Sequence, residues 1–189
     1  MSVESYEILL HSEFAGLLIT QPGLSRILEI ITHFNSMFKM SNPTSAPAPA
    51  PGETSLKTLL STLTTTLHPS TYVFINLSTT TTISSLPPLE SIQFLFQEPS
   101  EGLTLVTTLE TAVKHGFEYC FPSKMITLNV QSSLDAVGFL AVITTRLAKY
   151  GMGVNPVSAF LHDHLFVPIG REEDAVRELG KLAEESRRA

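Results

Sequence analysis

The chain has 189 residues, 43% of them hydrophobic and 16% charged, with a formal net charge of −6 and a single cysteine, Cys120. That is enough apolar material for one compact domain or two small ones sharing a core, so disorder throughout is excluded. The acidic balance, with 12 Lys and Arg that form no patch in sequence, argues against nucleic acid as a partner, and one cysteine forbids an intrachain disulfide and a Cys-rich zinc site.

Residues 1–40 read as an N-terminal extension. Their apolar clusters at Ile8–Leu10, Leu17–Ile19 and Leu28–Ile31 are interrupted by Glu7, Glu13, Pro22, Arg26 and Glu29. No run approaches the roughly 18 apolar residues that span a bilayer, so no membrane partner is expected. Four Glu against one Arg and one Lys do not fit a mitochondrial leader, and the basic start of a secretory signal is missing, so a cytoplasmic protein is the expectation. Leu24, Ile27, Ile31 and Phe34 keep near-helical spacing within 24–38. Residues 41–55 read as a linker, because alternating Ala and Pro in SNPTSAPAPAPG favour extended, solvated backbone. Met40 directly precedes it, which makes a natural start at that methionine a further expectation.

The segment 56–122 opens on Leu56, Leu59, Leu60, Leu63 and Leu67, the spacing of a short helix ended by His68-Pro69. Strands are predicted at Tyr72–Leu77, Ile92–Gln97 and Leu103–Thr107, with a Thr/Ser and Leu86-Pro87-Pro88 loop between the first two and a helix from about Leu109 to His115 and Gly116. Cys120 has no activating basic neighbour and is expected in the core.

The segment 123–189 carries the clearer pattern. Ile126, Leu128 and Val130 alternate with polar residues as in a half-buried strand. Ser132-x-x-Asp135 resembles a capping box, and Val137, Leu140, Ala141, Ile143 and Leu147 continue at helical spacing to Gly151. Val154–Phe160, a turn at Leu161–Asp163 and Leu165–Ile169 predict a hairpin. A last helix follows, with Glu172, Glu173 and Asp174 at its start and Ala175, Val176, Leu179 and Leu182 as its stripe. The order is β-α-β-β-α.

Few residues carry chemistry. His162-Asp163-His164 could offer two imidazoles from one strand face, but a metal needs a third ligand. The plainer reading is a turn in which Asp163 bonds its own backbone and both histidines are half exposed. Glu98 and Glu101 flank a turn and read as a solvated rim. Gly151-Met152-Gly153 follows a helix rather than opening one, the wrong context for a phosphate turn, and no nucleophile elbow or dinucleotide fingerprint occurs. No catalytic residue and no cofactor is predicted.

The βαββα order, Gly138 in the first helix, and the stretches EGLTLVTTLETA, ITLNVQSSLDAVGF and HDHLFVP resemble the ACT-domain family, in particular small tandem-ACT proteins and, more distantly, the cytosolic arginine sensors of animals. The resemblance implies an α+β fold of tandem ACT-like (ferredoxin-like βαββαβ) modules, with a mostly antiparallel sheet and helices on one face. Residues 56–122 would be a degraded half and 123–189 a fuller ACT domain, whose missing fourth strand the segment Tyr72–Leu77 would supply. It implies a ligand site where the turn after the first strand meets the second strand. Here that is Ser132, Ser133, Leu134, Asp135, Ala136, Val137 and Gly138, facing Gly153, Val154 and Asn155. Free N–H groups at a helix start can hold a carboxylate there. The chain departs from the family where Ala136-Val137 stands in place of a proline that often precedes the glycine. The implied function is amino-acid binding by a regulatory, non-catalytic homodimer with Gly153–Phe160 at or near the contact. A ligand-free interaction module, or a metal-dependent enzyme using His162 and His164, are the alternatives.

Overall fold

Helix α1 (Leu56–Thr62) begins where Ser55 Oγ accepts the N–H of Thr58, and its Leu59 and Leu60 are buried. The computed structural model describes residues 50–81 and 83–189, so the expectations for residues 1–40 and for the linker before Ala50 lie outside the described residues. The helix stops at Thr62 and does not reach Leu67. Strand β1 (Thr65–Leu77) starts at once and runs through His68 and Pro69. Two β-branched threonines, Thr65 and Thr66, favour the strand. Proline is tolerated because the ladder to the neighbouring strand shifts register between Leu67 and Thr71, where its missing N–H costs no regular hydrogen bond.

A connection with short 3₁₀ turns at Ile83–Ser85 and Leu89–Ser91 leads to β2 (Ile92–Glu98) and β3 (Gly102–Thr108). Helix α2 (Leu109–His115) is capped by Thr108 Oγ1, which accepts the N–H of Thr111, and closes on left-handed Gly116. Strand β4 (Cys120–Leu128) begins well before the alternation at Ile126. Cys120 is exposed, not in the core, because it is the first residue of β4 and pairs with Phe74 past a second register shift. Helix α3 (Phe139–Ala148) starts later than the Ser132-x-x-Asp135 pattern predicts. Strands β5 (Asn155–Ser158) and β6 (Asp163–Pro168) form the expected hairpin, shorter at β5 than the apolar run. Helix α4 (Glu172–Arg188) has acids in its first turn and Arg187 and Arg188 in its last, as the helix dipole favours.

The six strands form one sheet in the order β2-β3-β1-β4-β6-β5, each neighbouring pair antiparallel. Strand β1 thus pairs with β4 (Thr65 with Leu128, Leu67 with Ile126, Tyr72 with Ser123); the segment expected in this position, Tyr72–Leu77, meets β4 only at Tyr72 and Phe74, and the earlier residues of the same strand, which extends farther back than expected, make the other pairs. All four helices lie on one face. Leu59, Ile143, Leu147 and Leu179 of α1, α3 and α4 pack with Ile126, Leu128, Leu165 and Val167, while α2 sets Ala112 against Val73, Ile75 and Leu105. The Thr71–Lys124 pairing keeps these strand residues on the same side. On the opposite face Tyr72, Val106, Met125 and Phe166 form a separate cluster, with Phe166 edge-on to Tyr72 at 5.8 Å and to Phe74 at 5.4 Å between ring centres. The result is an α+β fold, an antiparallel sheet flanked by helices.

One buried charge joins two helices. Glu178 on α4 is 1% exposed, bonded to Lys181 at 2.8 Å and to Arg146 of α3 at 3.3 Å. Its carboxyl is held below the ordinary range by Lys181 first, then by the Tyr150 hydroxyl and the Arg146 charge.

Candidate functional site

After Leu128 the chain leaves the sheet, and its polar residues are taken up by distant partners. Ser132 Oγ donates to Asp163 Oδ2 at 2.6 Å, and Ser133 Oγ donates to the carbonyl of Ala50 at 3.0 Å. The Asp135 carboxylate accepts the N–H of Ala50 at 3.2 Å. Glu53 lies alongside, its N–H donating to the Gln131 carbonyl at 2.8 Å and its carbonyl accepting from the Ser133 N–H at 3.0 Å. Gly52 makes this approach possible. It sits at φ 117°, and a Cβ there would lie 2.6 Å from the Ser133 nitrogen, too close for any side chain.

These contacts explain the late start of α3. The groups that resemble a capping box are engaged 31 to 85 residues away along the chain, and the segment forms a turn, with the Ala136 N–H on the Ser133 carbonyl at 2.9 Å. Gly138 becomes the N-cap at φ 89°, and no side chain caps the helix. The leading N–H groups of α3 are therefore left to backbone, solvent or ligand.

Beside this helix start is a hollow of about 150 Å3. Its walls are Ser132–Leu134, Ala136 and Gly138–Ala141 on one side and Ser158 and Asp163 on the other. Asp163 is 5% exposed. It does not bond its own backbone as the turn reading expects; its oxygens accept from Ser132 Oγ and, at 2.6 Å, from Ser158 Oγ, and neither partner is a cation. The hollow thus sets a buried carboxylate across from the positive end of a helix dipole.

Of the predicted site residues, Ser132, Ser133, Leu134, Ala136 and Gly138 line the hollow. Asp135 is turned to Ala50, and Val137 is 83% exposed. Gly153, Val154 and Asn155 are not among its walls; Asn155 heads β5, opposite Phe166. Phe139, Leu140 and Ala141 on α3, with Ser158 and Asp163 facing them, are the wall residues that sequence reading missed. Asp163 was visible as an acid between two histidines, but nothing local signals that strand pairing buries it.

Of the two histidines, His164 serves the sheet's other face together with His68. Thr127 Oγ1 is 3.0 Å from His164 Nδ1 and 2.8 Å from His68 Nε2, so its hydroxyl bridges the two imidazoles. Burial lowers the His164 pKa from its ordinary value, and nearby His68 and His162 lower it further against the opposing pull of Asp163. Among the described residues no group of three His, Cys, Asp or Glu side chains could hold a metal ion. Glu98 accepts from Thr104 Oγ1 at 2.5 Å at the rim of β2. Among the described residues no helix is long and apolar enough to cross a membrane.

No curated protein matches the chain. Among solved structures, a Vibrio cholerae protein of unknown function, described as a possible transport protein, is 35% identical, with a TM-score of 0.60 over 68% of this chain and 95% of that one. A protein from Agobacterium tumefaciens is 18% identical, with a TM-score of 0.52 over 64% of this chain and 89% of its own. The ligand-free regulatory subunit of aspartate kinase from Thermus thermophilus is 12% identical, with a TM-score of 0.50 over 64% and 98%. The last two share the fold alone. The ACT-domain family model matches residues 51–124, the earlier half, where sequence reading saw only a degraded copy. ACT domains are regulatory and not catalytic modules, and this match, which runs through β1 and into β4, shows that the chain contains an ACT domain.

Proposed function

We propose that this chain is an amino-acid-binding regulatory module that acts as a homodimer in the cytoplasm, with its ligand in the hollow between the Ser132–Gly138 turn, the start of α3 and Asp163. The observation that carries the reading is the pairing of opposite electrostatic ends in one small space. Uncapped N–H groups at a helix start attract a carboxylate, and a buried carboxylate without a cationic partner attracts an ammonium group. A zwitterion supplies both. The space of about 150 Å3 equals roughly five waters of liquid volume, which suits a small amino acid. Asn155 is three residues from Ser158 along β5, roughly 10 Å, so Gly153, Val154 and Asn155 would be reached only by a longer ligand.

In this reading the sheet is two ferredoxin-like modules, residues 56–122 and 123–189, each lending its first strand to the other as a fourth strand. The earlier module has 3₁₀ turns where the later one has α3, and so offers no equivalent helix start.

The test is a thermal-shift screen of the twenty amino acids on the full chain and on Asp163→Asn. A ligand at one hundred times its dissociation constant raises stability by about 2.7 kcal/mol. The expected result is a shift with one or a few small amino acids in the parent and none in the variant. Two outcomes overturn the reading: no shift with any amino acid, or an undiminished shift in Asp163→Asn.

A further inference from the structure

Residues 50–53 cross the Ser132–Asp135 turn as a strap. They are held by the hydrogen bonds of Ala50 to Ser133 and Asp135 and by those of Glu53 to Gln131 and Ser133, which together make a parallel bridge between Glu53 and Ser132. Pro51, Gly52 and Glu53 are exposed, so these bonds and not burial keep the strap in place. Contacts of that kind open at low cost. The groups that the strap occupies also have a second use. Ser133 Oγ and the Asp135 carboxylate have the chemistry of a helix cap, and Ser132 and Ser133 wall the hollow. Strap and hollow therefore share one short turn.

The turn is already partly wound. The Ala136 N–H donates to the Ser133 carbonyl at 2.9 Å, and the Asp135 N–H donates to Ser133 Oγ at 3.2 Å, as in the first turn of a capped helix. Helix α3 starts at Phe139, and its first backbone bond, from the Val142 N–H to the Gly138 carbonyl, leaves the N–H groups of Phe139, Leu140 and Ala141 outside the ladder. Val137 and Gly138 separate the two pieces, and Gly138 sits at φ 89°, where an L side chain is strained. With Gly138 at helical angles instead, the carbonyls of Asp135, Ala136 and Val137 would accept the N–H groups of Phe139, Leu140 and Ala141, each four residues on. The helix would then begin at Ser133, and donors on residues that line the hollow would be spent. Two arrangements of one segment thus compete. In one the strap is engaged and the helix end open; in the other the strap is released and Ser133 and Asp135 cap their own helix.

We propose that the strap is a switch for the hollow. Engaged, it holds Ser133 and Asp135 away from α3 and leaves the helix end open to a ligand; released, it lets the helix wind back to Ser133 and withdraws the N–H groups. This control rests on the reading of the hollow as an amino-acid site. By reciprocity, a ligand that uses the free N–H groups tightens the strap.

The experiment compares the full chain with Gly138→Ala and Ala50→Pro by far-ultraviolet circular dichroism and amide exchange. A Cβ at Gly138 meets only Leu56 Cδ2, at 3.6 Å, an ordinary contact, so Gly138→Ala acts through the positive φ and not by crowding. Ala50→Pro removes the N–H that holds Asp135 and leaves the turn's own sequence intact. Both variants should gain helix, up to about five residues of it. Exchange should slow at Phe139, Leu140 and Ala141 and quicken by more than about tenfold at Glu53 and Ser133. Any amino acid that shifts the melt of the parent should slow exchange at Glu53 and Ser133 there and bind both variants more weakly. Unchanged helix content in both variants overturns the switch, as does a strap that exchanges faster while Phe139–Ala141 gain no protection. A bound amino acid that leaves exchange in the strap unaltered overturns the coupling. If no amino acid shifts the parent, the ligand reading falls, and helix content and exchange, which need no ligand, still decide the switch.

Discussion

The two halves of the sheet use the same strand order outward from the centre, β1-β3-β2 on one side and β4-β6-β5 on the other, yet of the two central strands only β4 leads directly into an α-helix, the one that walls the hollow. The difference lies in the connection that leaves each central strand. After β4, Phe139–Ala148 has Phe139, Ile143 and Leu147 buried on one stripe, and the segment winds into α3. After β1, the residues Ser78–Ser91 are mostly Thr and Ser with Pro87 and Pro88, which disfavour a continuous helix, and they make two 3₁₀ turns. The hollow beside α3 thus depends on a connection more than on the sheet. The family model matches residues 51–124, ahead of the connection that forms α3.

The largest test of this contrast is the packing of the connections themselves. Ile143 of α3 is fully buried against the sheet, and Val113 of α2 is 64% exposed. We predict that Ile143→Ala costs about 2–5 kcal/mol of stability in urea melts, with loss of any ligand response, because the helix that walls the hollow loses its anchor. Val113→Ala should stay within about 0.5 kcal/mol. Equal effects would mean that the two helices are anchored alike.

A smaller effect is expected at Gly52, which lies outside the sheet but holds the Ser132–Asp135 turn against the incoming chain. Gly52→Ala should cost about 1–3 kcal/mol through backbone strain and displacement of Ser133. Faster amide exchange at Ser133 and Glu53 should accompany it, with no change at Leu105 in the other half.

The smallest effect is on pH dependence. His164 is held neutral by burial and by His68 and His162, so its folded-state pKa is below the unfolded value near 6.5. Its contribution is present above that value and is lost as pH falls through the lowered folded pKa, since the unfolded chain takes up the proton more readily. Urea midpoints at about pH 5.5 and about pH 7.5 should differ less in His164→Asn than in the parent. An unchanged difference would assign the slope to other groups.

The hairpin, the last helix and the antiparallel α+β plan were legible in the sequence because they rest on local period and turn chemistry. Leu165 to Val167 with the Leu161–Asp163 turn, and Ala175, Leu179 and Leu182, carry that pattern on their face. The start of α3 was misread for a physical reason. Ser132, Ser133 and Asp135 have the chemistry of a helix cap, but their partners are Asp163 and Ala50, beyond any local window. Pro69 likewise reads as a helix stop, and only the register shift against β4 reveals it as part of a strand. At the hollow, the turn was legible from the resemblance, whereas Asp163 and Ser158 join it only through the hairpin that carries both.

The pairing of β1 with β4 also has a consequence for how the chain is made. Thr66 and Asn129, which bond across this pair, are 63 residues apart, and everything in the earlier half is synthesised before its central strand can find that neighbour. While the ribosome is still adding β4, one edge of β1 is bare and Leu59 and Leu60 lack the helices they pack against. Closing so long a loop is slow, and an open strand edge is adhesive in the meantime. The nascent chain should therefore depend on a chaperone until α4 has emerged, because the last helix to be made is among those that cover Leu59 and Leu60.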